Sequence, residues 1–135
     1  MNLLRQKTKT MKAKLAALLF FLFFLYIVCA ADAGHLPAFF RSLYDFPNGD
    51  RVGHVIIYGI LGFLISRAFP AGVRLGRVSL PIAIIALLVF SALEEWSQSL
   101  FSTRTADPID LACSWTGIFL GNWVAIFRRE RQKAK

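Results

Sequence analysis

Cysteine is nearly missing from this chain. Cys29 and Cys113 are the only two among 135 residues, and no CxxC pair exists, which removes the usual zinc and dithiol motifs. Both fall towards the same end of their apolar runs, so a disulfide is geometrically open; the plainer reading is two small apolar helix residues. There is no HExxH, and Gln98 stands where a Glu-x-x-His motif would want its histidine. Phosphate-loop and nucleophile-elbow signatures are missing too, as are internal repeats and low-complexity segments. Charge is scarce at 18%, against 56% hydrophobic residues with 13 phenylalanines. A soluble domain of this size has too much surface to hide that much apolar material. Acidic residues are the scarcer sign, eight against 16 Lys and Arg, for a net charge of +8. That charge does not point to nucleic acid, because the basic residues sit at the two ends and in one short loop, beside apolar runs.

What is present is a set of long uncharged runs, the mark of a membrane protein. Residues 15–31 form an apolar run of 17, about 26 Å as a helix, enough to span with its flanks. Its alternative is a cleaved signal peptide, with Ala31-Asp32-Ala33 as the cleavage site; a run this long, followed by further spans, favours a retained anchor. A lipoprotein site at Cys29 is disfavoured by the bulk of Val28. Leu36, Phe39, Phe40 and Leu43 have the spacing of a short interfacial amphipathic helix, which Pro47-Asn48-Gly49 ends with a turn. The further spans are expected at about 52–69, 78–93 and 111–127, with residues 71–77 as a loop and Pro81 in the first turn of the third. Gly59 and Gly62, and the pair Gly117 and Gly121, invite close helix packing. The expected fold is an all-α integral membrane four-helix bundle: a basic segment 1–14, a four-span domain 15–127 and a basic tail 128–135.

Thirteen of the 16 Lys and Arg lie in the two ends and the middle loop, whereas only Arg41, Arg51 and Arg104 lie on the other side. Of the eight carboxylates only Glu130 shares the basic side. The positive-inside rule therefore places both termini in the cytoplasm of a multi-pass protein of the cell inner (plasma) membrane, with anionic lipids meeting its basic face.

Two polar stretches then share the outer face. One is 94–110, EEWSQSLFSTRTADPID, pinned between apolar runs; the other is Asp50-Arg51-Val52-Gly53-His54. Charges beside a span are costly unless paired or hydrated, so their clustering invites a functional reading. Glu95, Gln98 and Ser91 can share a helix face, as can His54, Tyr58 and Gly62. Glu94 reads as a solvated flank, Asp107 and Asp110 as helix caps or site residues, and Arg51 and Arg104 as ion-pair partners of Asp50 and Asp110. The set suits acid–base work on a lipid-linked substrate, a divalent cation, or an anionic headgroup held by Arg51 and Arg104. No sequence motif supports the metal.

Asp50-Arg51-x-x-His54 followed by Tyr58-Gly59-x-Leu61-Gly62 resembles the opening motif of the VanZ-like family of small bacterial membrane proteins. Glu95-x-x-Gln98, Arg104-Thr105, Asp110, and Gly117 with Gly121 resemble its later motifs in the same order. The resemblance singles out His54, Glu95, Gln98, Arg104 and Asp110 as the signature polar residues, with Asp50 and Arg51 secondary. Arg51 stands where the family usually has Lys, and Ser114 where Asn is common. The family is named for a protein linked to resistance to the glycopeptide teicoplanin, so an envelope role related to that phenotype is implied.

Two readings follow. In the first, a non-enzymatic envelope protein binds a headgroup, a lipid-linked envelope intermediate or a membrane-protein partner through the outward cluster. In the second, a small membrane-embedded enzyme acts on a lipid, with His54 and Glu95 sharing acid–base work and Arg104 holding an anionic group. The missing nucleophile and metal signatures favour the first. No cofactor and no metal is expected. A transporter is disfavoured, because four short spans carry no midplane charge.

Overall fold

The computed structural model describes residues 2–76, 78–102 and 104–133. Arg77 and Lys135, counted above among the cytoplasmic charges, lie outside them. The elements are α1 (Asn2–Asp32), α2 (Ala38–Leu43), α3 (Gly49–Ala68), β1 (Gly72–Leu75), β2 (Val78–Pro81), α4 (Ile82–Gln98) and α5 (Pro108–Lys133). The protein is mostly helical, and α1, α3 and α5 are long and apolar enough to cross a membrane. α4 has 17 residues, about 26 Å at the helical rise, near the shortest length that spans. The outer faces carry exposed Leu18, Leu22, Ile60, Val89 and Trp123. Several long apolar helices with such surfaces fit a multi-span helical membrane protein in contact with a lipid bilayer.

Two helices outrun the expected spans. α1 begins at Asn2, so most of the basic segment 1–14 is the helix's own first turns. α5 likewise carries the basic tail as helix to Lys133. At 31 residues α1 is roughly 46 Å long, well beyond the ~30 Å of a bilayer's apolar core.

The all-α expectation is corrected at residues 72–81. They form an antiparallel hairpin, pairing Gly72 with Pro81 and Leu75 with Val78. The third helix therefore starts at Ile82 and not at 78. Pro81, expected in its first turn, is its N-cap, with an extended ψ of 140°. Gly76 follows β1 in the left-handed region, at φ 62°, which suits a tight hairpin better than a loop. The N–H of Ile82 donates to the Ala71 carbonyl at 3.1 Å and closes the hairpin onto α4.

α3 and α5 make the most extensive helix contact; α1 packs chiefly on α3, and α4 on α5. The core between them is Phe24, Tyr58, Leu61, Ile84, Leu87 and Ile118. Phe24 meets the Tyr58 ring edge-on at 5.2 Å, and Phe21 meets Phe90 at 5.3 Å, which ties α1 to α3 and α4. The α3–α5 seam is backbone against backbone. A Cβ on Gly121 would run into the Gly59 carbonyl and the Phe63 N–H, and one on Gly117 into the Val55 carbonyl.

A Cβ on Gly59, by contrast, would find only ordinary contact with the Gly117 carbonyl at 3.5 Å. Gly121→Ala should therefore cost about 1–3 kcal/mol through overpacking. Gly59→Ala should be neutral or gain up to about 1 kcal/mol of helix propensity. Melting temperatures of the two variants in detergent check this; equal effects would contradict the seam.

Candidate functional site

The helices gather their polar ends at one end of the molecule. α3 contributes Asp50, Arg51, His54 and Tyr58, and α4 contributes Ser91, Glu94, Glu95 and Gln98. α5 adds Asp107, its N-cap, with Asp110 and Ser114; Arg104 comes from the connection and Asp32 from the end of α1. Asp107 caps because Pro108 needs no donor partner at the first helical position and the Ile109 N–H donates to Asp107 Oδ1 at 2.9 Å.

Glu94 is the hub of one network. Tyr58 Oη donates to its Oε2 at 3.1 Å and Gln98 Nε2 to its Oε1 at 2.8 Å. Gln98 Oε1 accepts from Arg104 Nε at 3.2 Å, and Arg104 lies 3.9 Å from Asp32. The chain thus links α3, α4, the connection and α1. Glu94 is only 8% exposed, which corrects its reading as a solvated flank. Helical spacing set Glu95 and Gln98 inward; α4 is instead polar across a wider arc, with Glu94, Glu95 and Gln98 all buried.

A second network runs through α5. Glu95 Oε1 accepts the Asp107 N–H at 2.7 Å. Arg51 donates to Asn48 Oδ1 at 3.0 Å and to Asp107 Oδ2 at 3.5 Å, and its Nε lies 3.8 Å from Asp110 Oδ1. The expected partners are thus revised: Arg104 faces Asp32 rather than Asp110, and Arg51 faces Asp107 and Asp110 rather than Asp50. Each partner is presented by a neighbouring helix, a placement that chain distance cannot report.

His54 is anchored separately. Its Nδ1 is 2.9 Å from Ser114 Oγ, and the Ser114 hydroxyl donates to the Asp110 carbonyl at 3.0 Å. A hydroxyl has one proton to give. With that proton on the carbonyl, Nδ1 is the donor to Ser114, and Nε2 is left as the free ring nitrogen. The imidazole stacks on the Tyr58 ring at 6.2 Å. On the neighbouring helix face, Trp115 Nε1 donates to Ser91 Oγ at 3.1 Å.

Three concavities meet at Asp50. The smallest, about 80 Å3, has an apolar wall of Phe24, Ile27 and Val28 from α1, and a polar wall of His54, Glu94 and Arg104. The second, about 430 Å3, is lined by Asp50, His54, Gln98, Arg104, Asp107 and Asp110. The third, about 530 Å3, lies beneath α2 and includes Arg41, Tyr44, Arg51 and Asp107. Tyr44 packs on Gly53, where any Cβ would meet its ring. Burial, and then the negative charge of Asp50, hold the Tyr44 phenol above its ordinary pKa, so it stays a neutral donor at physiological pH. Among the described residues no group of three or more His, Cys, Asp and Glu has the arrangement to hold a metal ion. Cys29 and Cys113 are free thiols.

All seven candidate residues, His54, Glu95, Gln98, Arg104, Asp110, Asp50 and Arg51, thus lie at this end. Asp32 was missed as a member; its one signal is that it is the first charge after an apolar run. Glu94→Ala leaves Tyr58 Oη and Gln98 Nε2 without their acceptor, at about 1–3 kcal/mol for each buried donor. Exposed Glu130→Ala should stay within about 0.5 kcal/mol. Denaturation in detergent compares the two, and a Glu94→Ala protein as stable as the wild type would remove Glu94 from the hub.

In comparisons with known proteins, no family model, no curated protein and no solved structure matches this chain. The resemblance to the VanZ-like family accordingly rests on the order of its motifs.

Proposed function

We propose that the chain is a VanZ-like, four-span protein of the bacterial inner membrane with both termini in the cytoplasm. Its acidic end faces outward and binds the headgroup of a lipid or lipid-linked envelope molecule. The carrying observation is the pair of adjoining concavities. The 430 Å3 one is polar and of the size of ordinary small-ligand pockets, roughly 300–1,000 Å3. The 80 Å3 one beside it has an apolar wall on α1, a helix whose other faces are exposed and leucine-rich. A headgroup in the first leaves an attached chain to run along α1 into lipid. A relation to glycopeptide resistance is carried by the motif resemblance, and glycopeptide susceptibility of cells is its readout.

A photoreactive residue replacing Val28, on the apolar wall, should capture a discrete lipid species after irradiation of membranes. The same residue at Leu19, on the exposed face, should capture only bulk phospholipid. Mass spectrometry of the adducts decides, and identical bulk adducts at both positions would overturn the reading.

One observation favours the enzymatic alternative: His54 lines the polar cleft, and only its Nδ1 is engaged, by Ser114 Oγ at 2.9 Å. On that reading purified protein turns over an envelope lipid, and His54→Asn, which keeps a donor near Nδ1 but has no base, abolishes turnover. No product from the wild type across a panel of envelope lipids would end it.

A further inference from the structure

We infer a separate lipid site at the opposite end of the molecule. A groove between α3 and α5 holds an acyl chain of a phospholipid from the leaflet at the basic end, and Arg67 and Arg128 grip the anionic headgroup of that lipid. The site shares no residue with the acidic end and does not depend on the function proposed for it.

The groove, about 320 Å3, runs along the α3–α5 seam and is lined by apolar residues and two glycines. Gly59 and Gly121 carry no side chain to fill it, and Ile56, Ile60 and Val124 stand exposed beside them. Both helices are long and apolar enough to span a membrane, so this exposure is exposure to lipid. The groove leads into charge. Arg67 follows Phe63 by four residues and Arg128 follows Val124 by four, which sets each arginine one turn beyond the groove on the same helix face. The two guanidiniums converge, each with its central carbon 5.9 Å from the centre of the Phe63 ring. Among the described residues neither makes a hydrogen bond or an ion pair. Glu130 is the one carboxylate at this end of the chain, and it pairs with neither. Arg129, the next cation along, is turned instead to the Ser66 carbonyl at 2.7 Å. Two like charges sharing one ring repel each other, and a phosphodiester between them would accept from both forks and remove that repulsion. The lengths agree. From Arg67 back to Val55, the far end of the groove on α3, is 12 residues, roughly 18 Å, close to half of the ~30 Å apolar core of a bilayer. Charge also selects the lipid over a second copy of this chain. A copy inserted in the same sense would bring the same arginines to the same level and supply no anion for them.

The test places the full chain in nanodiscs of equal parts dioleoyl phosphatidylglycerol and dioleoyl phosphatidylcholine, and releases it for native mass spectrometry. One phosphatidylglycerol per chain should be retained, roughly tenfold over phosphatidylcholine, as charge-assisted contacts to two guanidiniums warrant. Arg67→Gln combined with Arg128→Gln should abolish the preference. Arg131→Gln, at a guanidinium that lies over Phe127 instead, should keep it. Val124→Trp, which fills the groove from an exposed position and leaves both arginines in place, should lose the retained lipid, and it decides alone if the double variant does not fold. Absence of a preference in the wild type, or retention untouched by Val124→Trp, overturns the site. A loss in Arg131→Gln as large as in the double variant overturns it in favour of diffuse charge attraction. A dimer that retains no lipid and that Val124→Trp dissociates overturns it in favour of a second copy.

Discussion

The backbone contact between α3 and α5 sets the rest of the structure. Gly117 and Gly121 let the second helix press against the carbonyls of Val55 and Gly59, closer than any side chain would permit. Without a hydrophobic force between helices in lipid, this kind of close van der Waals packing is what holds them. It also fixes the relative depth of the two helices. Once Gly121 lies on Gly59, the polar first turns of α3 and α5 come level. His54 then meets Ser114, and Arg51 meets Asp107 and Asp110. A stripe of small residues with no chemistry of its own thus places the groups that have it.

Against that pair, α4 brings its carboxylates by a different device. Glu94 and Glu95 are buried, which is tolerable because each finds donors: Tyr58 on α3 and Gln98 on the same helix for Glu94, the Asp107 N–H for Glu95. The polar network and the apolar core are therefore one construction. Tyr58 belongs to both, with its ring against Phe24 and its hydroxyl on Glu94.

What could be read in the sequence was depth. The apolar runs, their flanking charges and the rise per residue put Asp50, His54, Glu95, Gln98, Arg104 and Asp110 near one level, and the order of motifs chose among them. What could not be read was direction around each helix. Glu94 and Glu95 are adjacent, and helical periodicity favours one of them; α4 buries both because Tyr58 and the Asp107 N–H approach it from different sides. Asp32 joined the cluster only because α1 leans its last turn towards Arg104. The hairpin at 72–81 was hidden by an apolar run, Val78 to Pro81, that continues into α4 without a change of composition. Short apolar runs read alike as strand or helix.

The placement of charge also separates two roles that composition merges. At the basic end, the side chains with described contacts lie over aromatic rings: Lys14 over Phe69, Arg67 and Arg128 over Phe63, Arg131 over Phe127. Arg129 reaches further in and donates to the Ser66 carbonyl near the end of α3 at 2.7 Å, where a cation also complements the helix dipole. At the acidic end the arginines turn inward to protein acceptors. Both signs of charge are therefore used to close helix ends, and a residue's charge alone does not mark it as a ligand contact.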